Sequence, residues 1–251
     1  MDRDTDIGGS SARFPTTRRS VVAATRSQDA QERSRALAAL VAAYWKPVYK
    51  YLRWRWQESN EDAKDSTQAF FARAIEKGFF EDYDPGKAKF RTYLRVCLDR
   101  FVANERKSAS RQKRFPGSEV LSLDFEGAER ELRLQPPSDE IGVDEYFHRE
   151  WVRGLFGTAV EDLREHCRRR GKDVAWRLFE LYDLGEAPAA EPLGYETLAV
   201  RFGISVAAVT NALAFARREF RRIVLELLRE STGSEEEFRA EVRTILGVET
   251  R

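Results

Sequence analysis

The stretch YETLAVRFGISVAAVTNALA, residues 195–214, constrains the fold more than any other part of the chain. Leu198 and the small Ala199 fall inside a first short helix. Gly203 stands where the chain must turn with positive φ, a conformation that only glycine adopts cheaply. Ser205 suits the N-cap of a second helix, because its hydroxyl can accept an otherwise orphaned backbone N–H. Val209 then falls on the inner face of that helix, against Leu198 and Ala199. The expectation is a helix-turn-helix, two helices crossing steeply over small residues.

The rest of the chain repeats its apolar residues at three and four, the helical period, with no alternation. One run passes from Leu37 through Tyr44, Val48 and Leu52, a second from Ala63 through Phe70 and Phe71 to Ile75. A third holds Phe90, Tyr93, Leu94, Leu98, Phe101 and Val102. Phe115-Pro-Gly-Ser and Gln135-Pro-Pro-Ser are breakers among scattered acidic residues, so 115–149 reads as a linker, partly ordered at most. Helical spacing returns from Tyr146 to Leu163, from Val174 to Leu181, and from Val209 to about Glu230. A last amphipathic helix shows Phe238, Val242, Ile245 and Leu246. The expected architecture is all-α: an N-terminal extension (1–31), a helical domain (32–114), the linker, a second helical domain with the helix-turn-helix (150–232), and a helical tail (233–251). The tail is open between partner docking and a helical cap.

With 251 residues, 42% hydrophobic and 34% charged, the chain can bury ordinary cores behind solvated helix faces. No apolar run approaches the roughly 20 residues of a membrane span, and the N-terminus lacks the basic-then-apolar order of a secretion signal. The expectation is a cytoplasmic protein with no membrane partner. Cys97 and Cys167 read as reduced and structural. His166 and Cys167 are adjacent and point to different sides of a helix, so no metal site is expected. A phosphate loop and a nucleophile elbow are both missing, so nothing in the chain calls for a cofactor or for catalysis.

Net charge is only +1, but Lys87 to Arg114 carries ten cations against two carboxylates, a net +8. Such a local field is the footprint of a polyanion. Phe90, Tyr93 and Phe101 are interleaved with it, either as a core face or as platforms for unstacked bases. The second helix of the helix-turn-helix would present its first turns to a DNA major groove. Upstream, Asp62, Asp65 and Gln68 open a capped amphipathic helix whose acidic start suits the helix dipole.

Taken in order, the Asp-Ala-x-Asp-x-x-Gln-x-x-Phe-x-Arg helix, Phe-Arg-x-Tyr-Leu with its basic helix, the linker and the terminal helix-turn-helix resemble one family. The chain is similar, over roughly residues 14–232, to the extracytoplasmic-function sigma factors of bacterial RNA polymerase. FPTTRRSVV (14–22), QAFFAR (68–73) and Gly171-Lys172 further resemble a subgroup of these factors that is common in bacteria rich in them. The resemblance implies that Asp62, Asp65, Gln68 and Arg73 meet the clamp helices of the β′ subunit. It implies that Lys89, Arg91, Tyr93, Arg95, Asn104, Arg106 and Lys107 meet and melt the −10 promoter element, that the linker threads toward the RNA exit channel, and that 150–232 reads the −35 element as duplex beside the β flap. On that last domain it points to Ser205, Ala207, Thr210, Asn211, Arg217, Arg218 and Arg221. The first half of the second helix departs from the family in lacking Lys and Arg. Thr210 and Asn211 are left for base edges, Asn being able to bond adenine bidentately, while Arg217, Arg218, Arg221 and Arg222 suit phosphates. Core RNA polymerase and promoter DNA are the implied partners, and an anti-sigma factor or a Ser/Thr kinase the implied regulators. Ser66 and Thr67, beside Asp65, read either as structural hydroxyls or as phosphate acceptors.

Two other functions suit parts of this pattern. A helix-turn-helix regulator outside the polymerase would pair the motif with a dimerisation or sensor domain and bind a palindrome. A helical RNA-binding or scaffold protein would use both basic stretches for shape recognition.

Overall fold

The helical spacing of the apolar residues becomes ten α-helices and no strand among the described residues. The computed structural model describes residues 21–109, 123–138, 140–185 and 194–247. No single helix among them is long and apolar enough to cross a membrane. The described chain divides into two compact units, one running to Gly154 and resuming at Leu228, the other Leu155–Leu227. These bounds differ from the sequence expectation of 150–232 with a separate tail, because the tail helix packs within the first unit.

In the first unit, α1 (Val21–Ala24) leads into α2 (Ala30–Arg55), α3 (Asn60–Glu76), α4 (Phe90–Ala109) and α5 (Phe125–Leu134). The Asp29 side chain caps α2 by accepting from the N–H groups of Gln31 and Glu32, and Ser59 does the same for α3 through Asp62. Each satisfies a donor that the helix start would otherwise leave open. The helix α2 continues through the buried Pro47. Its core face is aromatic: Tyr44 meets Phe90 edge-on with ring centroids 5.4 Å apart and stacks at 6.3 Å on Trp151. Phe70 of α3 meets Phe101 of α4 at 5.6 Å. These buried rings tie α2, α3 and α4 to the start of α6 (Val143–Arg169).

Residues 125–134, expected to belong to a linker, instead form the packed helix α5, which corrects that part of the sequence expectation. Phe125 is buried against Trp45 and Tyr49, with centroids 5.3 and 5.2 Å apart. Two of the acidic residues that look scattered in sequence have partners on α2. Glu129 takes two hydrogen bonds from Arg53 and one from Tyr49, and the Arg53 guanidinium holds its carboxyl down at about 2. Glu131 pairs with Lys46 at 2.9 Å and Lys50 at 2.8 Å. A helix whose apolar face is little more than Phe125 and Ala128 is thus fixed by ions on α2.

The second unit holds the rest of α6, then α7 (Asp173–Tyr182), α8 (Tyr195–Phe202) and most of α9 (Val206–Ser231). Leu178, Leu198, Ala199, Val209 and Leu213 form one core cluster in it, with Tyr195, Phe202 and Ile204 packed around them. Gly203 ends α8 in the left-handed region at φ 64°. The Ile204 N–H returns to the Ala199 carbonyl at 3.0 Å, closing the turn. The chain leaves that turn at 102° to α8. The last helix, α10 (Glu235–Leu246), is capped by Ser234 and buries Phe238 and Val242 in the first unit.

Candidate nucleic-acid interface

Two surfaces carry the residues expected to touch nucleic acid, one in each unit. On the first, the start of α4 places Lys89 and Arg91 beside a carboxylate from the far end of the chain. Glu241 receives Lys89 at 2.5 Å and Arg91 at 2.7 Å. Arg91 is 9% exposed and lies over the Trp151 ring at 5.3 Å. Arg95 is shared between Asp99 and Asp144, each at 2.7 Å. Arg106 donates to the Trp56 carbonyl at 2.5 Å and lies 4.7 Å above its ring. Asn104 and Lys107 are exposed near the end of α4.

Folding therefore brings carboxylates from outside Lys87–Arg114 onto part of its +8: Asp84 to Lys87, Asp144 to Arg95, and Glu241 to both Lys89 and Arg91. Arg111, Lys113 and Arg114 lie outside the described residues. The aromatics sort in the same way: Phe90 and Phe101 are buried in the core, leaving neither as a stacking platform. Tyr93 is half-buried, its O–H donates to the Phe79 carbonyl at 2.7 Å, and burial raises its pKa.

The acidic helix start comes out as expected in exposure. Asp62 and Asp65 face solvent on α3, with Asp62 accepting from the Ser59 hydroxyl at 2.7 Å. Gln68 is half-buried, and Arg73 pairs with Glu105 at 2.7 Å. Thr67 is fully buried and donates to the Ala63 carbonyl at 2.6 Å, so its hydroxyl is structural and not a phosphate acceptor. Ser66 is half-buried and lies near the Glu58 carboxyl.

In the second unit, Ser205 caps α9 by accepting from the Ala208 N–H at 3.1 Å. Ala207, Thr210 and Asn211 are exposed on its first turns. The Thr210 hydroxyl donates to the Val206 carbonyl at 3.0 Å, leaving its methyl group and lone pairs outward. Two turns on, Arg217 is held by Asp183 at 2.8 Å and by the Tyr195 hydroxyl at 3.2 Å, above the Tyr182 ring. In the free chain Arg217 is thus exposed but paired. Arg222 is likewise tied to Glu219 and Glu226. All four arginines are exposed; Arg218 lies 3.9 Å from Glu219 and over the Phe215 ring at 5.7 Å.

Among the described residues no group of His, Cys, Asp and Glu could hold a metal ion, and both cysteines are free thiols. Sequence reasoning missed Glu237 and Glu241, although a signal was present. Phe238, Glu241, Val242 and Ile245 share one helical stripe, so Glu241 interrupts an apolar face and needs a buried partner. Protein-family models, curated proteins and solved structures were all compared with the chain, and none matches it.

Proposed function

We propose that this chain is a sigma subunit of bacterial RNA polymerase of the extracytoplasmic-function type, working in the cytoplasm to direct promoter recognition. On this reading the two units are two domains, and α8 and α9 are a helix-turn-helix. What carries the reading is the turn at Gly203: two helices at 102°, joined by a left-handed glycine over a shared core, with Thr210 and Asn211 outward on the second. That arrangement suits insertion of the start of α9 into a major groove. Asn211 then bonds base edges and specifies sequence, while Arg218 and Arg221 farther along contact phosphates and position the helix. The exposed Asp62–Asp65 face of α3 supplies the polymerase contact, and the α4 cations supply the contact to the −10 strand.

The test is association of the full chain with purified core RNA polymerase, read by co-migration in size-exclusion chromatography. Wild type should co-migrate. Asp65→Arg should weaken the complex by about tenfold or more with an unchanged helical circular dichroism signal, since Asp65 is exposed. A folded Asp65→Arg variant that co-migrates like wild type counts against this contact. Promoter DNA binding with no polymerase association at all would favour a regulator acting outside the polymerase.

A further inference from the structure

The first turn of α4 is a ready anion site. The Phe90 N–H is one of the unpaired donors of a helix start, and Lys89 and Arg91 flank it. Helix N-termini combined with cations are the donor set that binds phosphate oxygens. In this chain the site is filled from within. Glu237 accepts from the Phe90 N–H at 3.1 Å through one oxygen, and from the Gly233 N–H at 2.8 Å and the Tyr83 hydroxyl at 3.3 Å through the other. One turn along α10, Glu241 takes both Lys89 and Arg91 on a single oxygen.

The fit of that second carboxylate is incomplete. Glu241 is fully buried, and its other oxygen has no hydrogen-bond partner. Burial works against its charge, and only Lys89 and Arg91 hold its carboxyl below the usual range. A buried acceptor left unmatched is costly, so the tail is an imperfect ligand that a better anion can displace. The tail also approaches this site through a tight point, since a Cβ on Gly233 would lie 2.5 Å from the Tyr83 ring.

We propose that the Lys89–Phe90–Arg91 start of α4 is a phosphate site for single-stranded DNA, and that Glu237 and Glu241 of α10 occupy it until the DNA displaces them. The proposal rests on the promoter-binding reading above and adds to it a built-in competitor. Arg91 contributes to DNA binding only after α10 has left.

The probe is a fluorescein-labelled, mixed-sequence single-stranded DNA of about 16 nucleotides, titrated with the full chain. The paired substitution Glu237→Gln with Glu241→Gln should raise affinity by about tenfold. It should also steepen the salt dependence by about one to two phosphate contacts. Adding Arg91→Ala to that background should cancel the gain. Gly233→Val, which dislodges the tail and keeps both carboxylates, should also raise affinity. Hydrogen exchange on the unaltered protein gives a reading that needs no variant: amides of 235–246 should lose protection when the oligonucleotide is bound. Unchanged affinity in both variants, each helical by circular dichroism, overturns the proposal, and so does a tail that stays protected in the DNA complex. If the tail stays shut while the protein still binds core polymerase, this proposal alone falls. Tighter DNA binding by the variants without polymerase association leaves the anion site standing and removes the sigma reading.

Discussion

Lys50→Ala is expected to destabilise the first unit by about 3–5 kcal/mol, the cost of breaking a buried ion pair from one side. The Lys50 ammonium is 1% exposed and lies 2.8 Å from Glu131 and 2.7 Å from Glu150. Glu150 is itself 4% exposed. Arg153 also reaches it but is a third exposed and binds its other oxygen. Without Lys50 a desolvated carboxylate oxygen loses its partner, and α2 loses one of its ionic links to α5 and its ion pair with Glu150 of α6. Urea unfolding followed by circular dichroism reads the loss. Replacing both partners, Lys50→Met with Glu150→Gln, should cost less than Lys50→Ala alone, because no buried carboxylate is left without its cation. A single variant as stable as wild type would mean that water reaches this pair.

Leu213→Ala should be similarly damaging to the second unit, at about 2–5 kcal/mol. Leu213 is fully buried in a small core with Leu178, Leu198, Ala199 and Val209. The short helix α8 buries only Leu198 and Ala199, so a cavity at Leu213 removes much of what fixes α8 against α9. Asn211→Ala, two residues away but exposed, should stay within about 0.5 kcal/mol of wild type. The comparison separates the packing role of α9 from its outward face. Equal losses for the two substitutions would show that the face assignment of α9 is wrong.

The helices that bury wide apolar faces were legible in the sequence. Tyr44, Val48 and Leu52 mark α2, Phe70 and Phe71 mark α3, and Leu94, Leu98 and Phe101 mark α4, all at the expected spacing and all buried. The turn was legible too, since Gly203 takes the positive φ that its position suggested. Helix α5 was hidden because its attachment is ionic: Glu129 and Glu131 find partners on α2 that are about 80 residues away in sequence. For the same reason a charge count over Lys87–Arg114 misses the carboxylates that fold back onto it. Asp144 and Glu241 lie outside that window, yet they pair with Arg95 and with Lys89 and Arg91. Periodicity reports which face is buried, and it does not report which distant carboxylate meets a given cation. Thr67 shows the finer limit, since whether a helical hydroxyl is free or bonded to the carbonyl four residues back depends on burial.

The most direct measurement is reconstituted transcription, with purified core RNA polymerase on a library of randomised upstream sequences, with and without this protein. If the chain is a sigma subunit, protein-dependent transcripts should appear from templates sharing two upstream elements. They should be lost with Asp65→Arg, and Asn211→Ala should alter the preference at one or two positions of the farther element. A transcript pattern identical to that of core polymerase alone would contradict it.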